Sequence, residues 1–174
     1  MKIQTPTNGA CSAGSGLSSE GVELPALVAQ SAMILDSYRH WFGKDMINRA
    51  GSPEDRARLL FDWDQVVLSC GNEPDPLLNY GNRRALTLWE MSWPDFVRMP
   101  ARLTAEPMER KEREAFLQQV RQTGFITNYE GVRISRNGRR FTAARRGVGQ
   151  GVPASRGDGN GIVSAAHQFS PGSS

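Results

Sequence analysis

Large apolar residues first gather at Leu24, Leu27, Val28, Met33, Ile34, Leu35, Tyr38, Trp41 and Phe42. Their intervals are mostly those of a helix with a wide apolar face. Pro25 suits a first turn, where its missing N–H has no helical partner, and Gly43 is a stop, so the spacing predicts a helix over about 25–42. After the break at Gly51-Ser52-Pro53, Ser52 with Asp55 makes a capping pair for a short helix carrying Leu59, Leu60 and Phe61. Gln65–Ser69 and Leu77–Tyr80 are short strand candidates on either side of a Pro/Asp turn. Asn82 can cap a helix over Arg83–Glu90 that presents Leu86 and Trp89 on one side, and Ser92 can cap the next, with Pro94 in its first turn.

A longer helix is expected from Pro107 to about Arg121, with Glu109, Glu112 and Glu114 early, Phe116, Leu117 and Val120 as its stripe, and Gly124 as its end. Phe125–Ser135 reads as a long strand in which Gly131 can host a bulge, because it lacks a Cβ. Asn137-Gly138 predicts a two-residue type I′ turn into a returning strand at Arg139–Ala143.

No periodicity is present at either end. Residues 1–22 form a Gly/Ser/Thr-rich leader expected to be disordered, 23–144 a single domain, and 145–174 a Gly/Arg-rich tail, also expected to be disordered, with seven glycines between 147 and 172. The 174-residue length fits that one domain with flexible ends, and the 39% hydrophobic share agrees with part of the chain being unpacked.

The formal net charge of +3 is unevenly spread. Residues 132–156 hold Arg133, Arg136, Arg139, Arg140, Arg145, Arg146 and Arg156 and no acid; without these seven, the chain carries 14 basic and 18 acidic side chains. A basic, Gly-rich segment can hold phosphates by sequence-independent attraction, so a nucleic-acid-associated role through this segment is one reading, although no aromatic follows Phe141 before Phe169. Neither a signal-like apolar run near the start nor a membrane-length stretch is present, so a cytoplasmic location and no membrane partner are expected. Two cysteines in unlike contexts, Cys11 and Cys70, and no C-x-x-C or His/Cys cluster leave no metal site.

Cys70, at a strand end, is the best nucleophile, but the only histidines are His40, in the first helix, and His167, in the tail. The pairs Glu73/Asp75 and Asp62/Asp64 are more plainly capping or solvated turn acids than catalytic ones. The chain is therefore expected not to be an enzyme, and one working through Cys70 or Asp75 is the weakest reading.

Ser69-Cys70-Gly71-Asn72-Glu73-Pro74-Asp75-Pro76-Leu77-Leu78-Asn79-Tyr80-Gly81-Asn82-Arg83-Arg84-Ala85-Leu86-Thr87-Leu88-Trp89-Glu90, followed by Trp93-Pro94-Asp95-Phe96 and Arg102-Leu103-Thr104-Ala105-Glu106-Pro107, resembles the MEKHLA family, a relative of PAS sensor domains. The resemblance runs from about Met33 to Phe141. It implies an α+β, PAS-like fold: a curled antiparallel sheet with small helices on one face, preceded by an N-terminal helix. It also implies a sensory or protein-interaction role, with a small ligand held between sheet and helices. Asn79, Tyr80, Asn82, Leu86, Trp89, Phe116, Phe125 and Tyr129 come from the elements that would surround that pocket, and all of them also fit the ordinary core of a small domain. The ligand's identity is open. Residues 104–123 contain neither Cys nor His, which disfavours covalent flavin and His-ligated haem. The expected partners are a signalling protein and a second copy of the chain, joined through the N-terminal helix, which can equally cover its own sheet.

Past Phe141 the resemblance fails. A PAS-type sheet needs a closing strand, and Arg145-Arg146-Gly147-Val148-Gly149-Gln150-Gly151-Val152 lacks the alternation such a strand would show. The last strands are thus expected to be missing or replaced. A frameshift in GC-rich coding DNA would leave this Arg/Gly/Pro/Ser/Ala composition and a defective product. Resequencing the DNA and translating all three frames tests the idea.

Overall fold

Pro25 in the first turn and Gly43 in the left-handed conformation (φ 65°) bound α1 (Leu24–Phe42). The computed structural model describes residues 21–104, 114–115, 118–119, 122–126, 129–150 and 162–171. α2 (Pro53–Phe61) starts at the expected capping box: Ser52 Oγ accepts from Asp55 N at 3.1 Å and the Asp55 carboxylate accepts from Ser52 N at 3.0 Å. α3 (Arg83–Trp89) and α4 (Trp93–Phe96) are capped by Asn82 and Ser92, and a 3₁₀ turn covers Ala101–Thr104. Of the long helix expected over 107–121, Glu114, Ala115, Gln118 and Gln119 are helical, as are Gln122 and Thr123 beyond it. The rest of it, Phe116 included, lies outside the described residues.

Among the described residues six strands form one antiparallel sheet: β1 (Val66–Cys70), β2 (Leu78–Gly81), β3 (Phe125–Ile126), β4 (Tyr129–Ile134), β5 (Arg140–Gln150) and β6 (Ile162–Pro171). The order is β2-β1-β6-β5-β3, and β4 also pairs with β5. β3 and β4 lie along the same neighbour, so together they follow the course of the single long strand read from the sequence.

The chain beyond Phe141 departs from the expectation of disorder. Residues 145–150 extend β5, and 162–171 form β6 in the middle of the sheet, bonded to β1 on one side and β5 on the other. The positions of the last strands are therefore filled, by a sequence without the alternation expected of them. Sheet ladders are made by backbone groups, which every non-proline residue carries, and a strand with two neighbours needs no apolar period of its own to satisfy them.

Two turn readings are also corrected. Gly138 has φ 83°, but Asn137 is not among the residues with positive φ, so the turn is not type I′. Gly138 N donates to Ser135 O at 3.0 Å and Ser135 N to Arg139 O at 2.9 Å, the geometry of a type I turn followed by a left-handed glycine. Gly131 carries no bulge, because β4 pairs with β5 in unbroken register; the register shifts lie in β5, around Arg145.

The two faces of the sheet bear different helices. Adjacent pairs Leu68↔Gly81 and Ser69↔Tyr80 point to opposite faces. On the Gly81 side a Cβ would come within 2.4 Å of the Phe96 ring, so glycine admits α4 against the sheet. On the Ser69 side, Gln30 of α1 donates to Ser69 Oγ at 3.1 Å. From there α1 packs on β6 and β5 and reaches β3, where Trp41 stacks on Phe125 at 5.7 Å. Leu27, Ile34, Leu35 and Tyr38 of α1 are buried, while Pro25, Ala26, Ala29, Arg39 and His40 are its exposed positions. The apolar surface of α1 is thus largely consumed inside its own chain.

Candidate functional site

Asn82 stands where the chain leaves β2 for α3, and it is fully buried. Its Oδ1 accepts from Val67 N at 3.0 Å and from Ala85 N at 3.1 Å. Its Nδ2 donates to Gln65 O at 2.7 Å and Trp63 O at 3.1 Å. One side chain thereby caps α3, pairs with β1 and fixes the loop after α2. Both of its polar atoms are engaged with backbone, so its place in the fold is structural.

Trp89 and Leu86 lie three residues apart on α3 and share a buried side. The Trp89 ring meets Phe96 at 6.0 Å and Phe141 at 5.0 Å, both nearly edge-on, and its Nε1 has no hydrogen-bond partner. These residues mark the sheet face covered by α3 and α4. Around them the β4–β5 turn is tied to the end of α3. Arg136 N donates to Trp89 O at 3.1 Å, Arg139 Nη2 to Leu88 O at 2.9 Å, and Ser135 Oγ to the Glu90 carboxylate at 2.6 Å. Glu90 closes α3 in the left-handed conformation, φ 58°.

Tyr80 and Asn79 face elsewhere. Ser69 pairs with Tyr80 and Cys70 with Leu78, which leaves Asn79 as an extra residue and turns Leu78 and Tyr80 to opposite faces. Asn79 Oδ1 accepts from Ser69 Oγ at 2.6 Å and from Gln30 at 3.2 Å, pinning α1 to the edge of the sheet. Tyr80 adjoins Ser31 of α1 and, at the β2 edge, also meets Trp93 at the start of α4 edge-on at 5.7 Å. Burial pushes its phenol well above the usual value, an effect the neighbouring Ser31 hydroxyl partly offsets. The two hydroxyls are neighbours but fall short of hydrogen-bond geometry, and each lacks a partner. Phe125 is also on the α1 side, against Trp41 and Phe42, and is 39% exposed. Tyr129 lies in β4 opposite Arg145; its side chain and all of Phe116 lie outside the described residues. The eight residues read as one pocket are therefore divided by the sheet, with Leu86 and Trp89 on one face and Asn79, Tyr80 and Phe125 on the other.

The catalytic readings gain little from the geometry. Cys70 is buried in β1, whereas His40 is exposed with its ring against Trp41, whose neighbour Phe125 is at the β3 end of the sheet. Asp75 pairs with Arg102 at 3.0 Å, Glu73 accepts from Leu77 N at 2.9 Å, and Asp62 pairs with Arg83 at 2.8 Å. Beside that last pair, an open cleft of about 500 Å³ is lined by Trp63, Asp64, Val66, Arg84 and Thr87. Among the described residues no three His, Cys, Asp or Glu side chains are placed to hold a metal ion. No helix among them is long and apolar enough to cross a membrane.

The hairpin arginines are occupied as well. Arg133 is fully buried and donates to Val132 O at 2.8 Å, Arg136 pairs with Asp95 at 2.9 Å, and Arg139 is held by α3. Arg136 and the Ser92 hydroxyl together hold the Asp95 carboxyl below its usual range, Ser92 more strongly.

The sequence of residues 28–152 matches a known family model, that of the MEKHLA domain. The chain belongs to the MEKHLA domain family. The match covers more than half of its length, and residues 153–174 lie beyond it. No curated protein matches this MEKHLA chain. Among solved structures it is similar to a PAS domain of a protein from Colwellia psychrerythraea, with TM-score 0.55 and 11% identity over 66% of this chain and 93% of that one. A PAS domain from a two-component sensor histidine kinase gives TM-score 0.52 and 12% identity, covering 65% and 91%. An RNA-binding light-oxygen-voltage receptor gives TM-score 0.53 and 15% identity over 71% of this chain but only 35% of that one. At these identities the likeness is one of fold: the MEKHLA domain is α+β and PAS-like.

Ser31 and Glu90 escaped the sequence reading. Ser31, like Ser37, places a hydroxyl within an apolar helical stripe, a signal visible in the sequence. For Glu90 no local signal exists, since glutamate, unlike Asn or Asp, is not enriched at positive φ.

Proposed function

We propose that this domain is a non-enzymatic, cytoplasmic sensory or protein-interaction module, and that a small ligand between the sheet and the α3–α4 side biases the position of α1. The observation that carries the reading is the placement of α1 across the sheet from Ser69 to Phe125, on the face opposite Trp89. A ligand against Leu86 and Trp89 would act on the strands from one side, and α1 would respond on the other. Phe116 and Tyr129 belong to the same proposal as further lining. The unpartnered Trp89 Nε1 supports a polar group in the ligand, because a buried donor without an acceptor is costly. A ligand moves α1 only if it binds the two positions of α1 unequally. A signalling protein then reads α1 or the surface that it uncovers. Homodimerisation through α1 has less support, since its exposed positions are small, polar or charged.

Native mass spectrometry of the purified full chain tests this. A reproducible small-molecule adduct, lost on Trp89→Ala in a variant that still folds, is the expected result. A bare chain from several hosts, with α1 equally protected from hydrogen exchange in lysate and in buffer, would sink the proposal.

The nucleic-acid reading has weaker support, because Arg133, Arg136 and Arg139 are engaged within the fold. A defective, frameshifted origin for the chain beyond residue 152 stays testable by translating the coding DNA in all frames.

A further inference from the structure

On the α1 side of the sheet, away from Trp89, a cavity of about 180 Å³ lies between α1 and the start of α2. Ser31 lines it and is 1% exposed, and its Oγ has no hydrogen-bond partner. A buried helical serine ordinarily returns its hydroxyl to the carbonyl four residues back, as Ser37 does to Met33 O at 2.6 Å. Ser31 does not. Its neighbour towards the sheet is Tyr80, whose Oη is unpartnered too. Ser31 is one of the lining residues, and a ligand that draws its hydroxyl round from the Tyr80 side into the cavity would satisfy it.

The other walls define that ligand's chemistry. Ala32, Leu35 and Pro53 are apolar, and Asp36, Arg49 and Arg56 form the polar part of the lining. Arg49 is committed: it is bonded to Asp36 and lies 3.6 Å from Asp45, and the bond to Asp36 is the main cause of its raised pKa. Asp36 is thereby neutralised. Among the described residues Arg56 uses only its Nε, on Ser52 O at 3.3 Å, and keeps its two terminal nitrogens as donors. One positive fork thus remains at the cavity, matched to a planar carboxylate. A phosphate dianion suits the place less well, because Glu54 and Asp55 occupy the first turn of α2 beside it. At about 30 Å³ for each water-sized unit, the cavity takes a molecule of roughly six non-hydrogen atoms.

We propose that this cavity binds a small organic acid of two to four carbons bearing a hydroxyl or keto group, with its carboxylate on Arg56 and its second oxygen on Ser31. The carbon atoms lie against Ala32, Leu35 and Pro53. Such a ligand clamps α1 to α2 and meets the hydroxyl that adjoins Tyr80, so its presence is felt at the β2 edge of the sheet. The site is separate from the one proposed beside Trp89, and either can fail without the other.

Lactate, pyruvate and inorganic phosphate, each titrated into the full chain at constant ionic strength, provide the test by calorimetry and thermal unfolding. Lactate or pyruvate should bind saturably and raise Tm. Ser31→Ala and Arg56→Gln should each weaken that binding by about tenfold or more, whereas Trp89→Phe should leave it unchanged. Neither of the first two changes threatens the fold: one deletes an unpaired hydroxyl and the other alters a partly exposed side chain. The proposal is overturned if neither acid binds saturably, if phosphate binds as well as lactate, or if both variants bind like the parent.

Discussion

At Asn82 a single amide holds together a strand, a helix start and a loop, and its replacement should be costly. Asn82→Ala strands two buried N–H groups and two carbonyls, and at about 1–3 kcal/mol for each unsatisfied buried group the loss should exceed 3 kcal/mol. Asn82→Asp keeps the acceptor but turns carboxylate oxygens towards Gln65 O and Trp63 O, so it should be no milder. Urea unfolding measures both; a loss under 1 kcal/mol would contradict the role given to this residue. Tyr80 predicts the opposite behaviour. Its hydroxyl is buried without a partner, so Tyr80→Phe should be neutral or stabilising by up to about 1 kcal/mol. The raised phenol pKa also fixes a sign. Folded and unfolded chains are both protonated below the ordinary tyrosine value of about 10, and above it the unfolded chain loses the proton first. Stability should therefore fall as pH rises beyond about 10, and Tyr80→Phe should flatten that limb. An unchanged alkaline limb in the variant would show that the titrating group is another.

The capping residues show how far local chemistry carries an element. Ser52, Asn82 and Ser92 each accept from the expected N–H, and α2, α3 and α4 begin there. The Ser52 backbone N–H, followed by the Ser52 hydroxyl, holds the Asp55 carboxyl below its usual range. That contribution is present above the ordinary carboxylate value near 4 and is lost as pH falls through the lowered folded value. Ser52→Ala should thus lower Tm at neutral pH and have less effect in acid, as pH-dependent thermal melts would reveal. The hairpin shows the limit of local reading. Asn137-Gly138 marked a turn, but strand register and the bonds from Arg136 and Arg139 to α3 selected a type I turn with one left-handed residue. Gly138→Ala should cost about 1 kcal/mol, whereas Asn137→Ala, at a position without positive φ, should cost little.

For the whole molecule the decisive element is β6. It joins β1 to β5, so the β1–β2 half and the β3–β4–β5 half of the sheet meet only through it. Truncation after residue 151 should expose two unpaired edges, abolish a single cooperative transition and promote association. Circular dichroism melts and light scattering would detect both effects; an unchanged sharp transition would place β6 outside the stable fold. The same topology makes deletion of residues 142–174 unfit as a probe of nucleic-acid binding, since it removes most of β5 and all of β6. Substitution of Arg145, Arg146 and Arg156 by Gln keeps the backbone and isolates the charge.

Helix starts, helix stops and the two early strands were legible in the sequence because caps, prolines and apolar periods act over a few residues. The family was legible for the same reason: Leu78-Asn79-Tyr80-Gly81-Asn82 encodes a bulge, a close approach and a cap within five positions. The candidate site was legible only as a set of residues. Which face of the sheet each one serves depends on the unpaired Asn79, and that follows from pairing with β1. The closing strand was hidden for a different reason. Its place is set by backbone hydrogen bonds to β1 and β5, which side-chain composition does not record. Tertiary structure alone decided that Tyr80 lies under α1 while Trp89, on α3, packs against the opposite face, and that Ser31 was left buried without a partner.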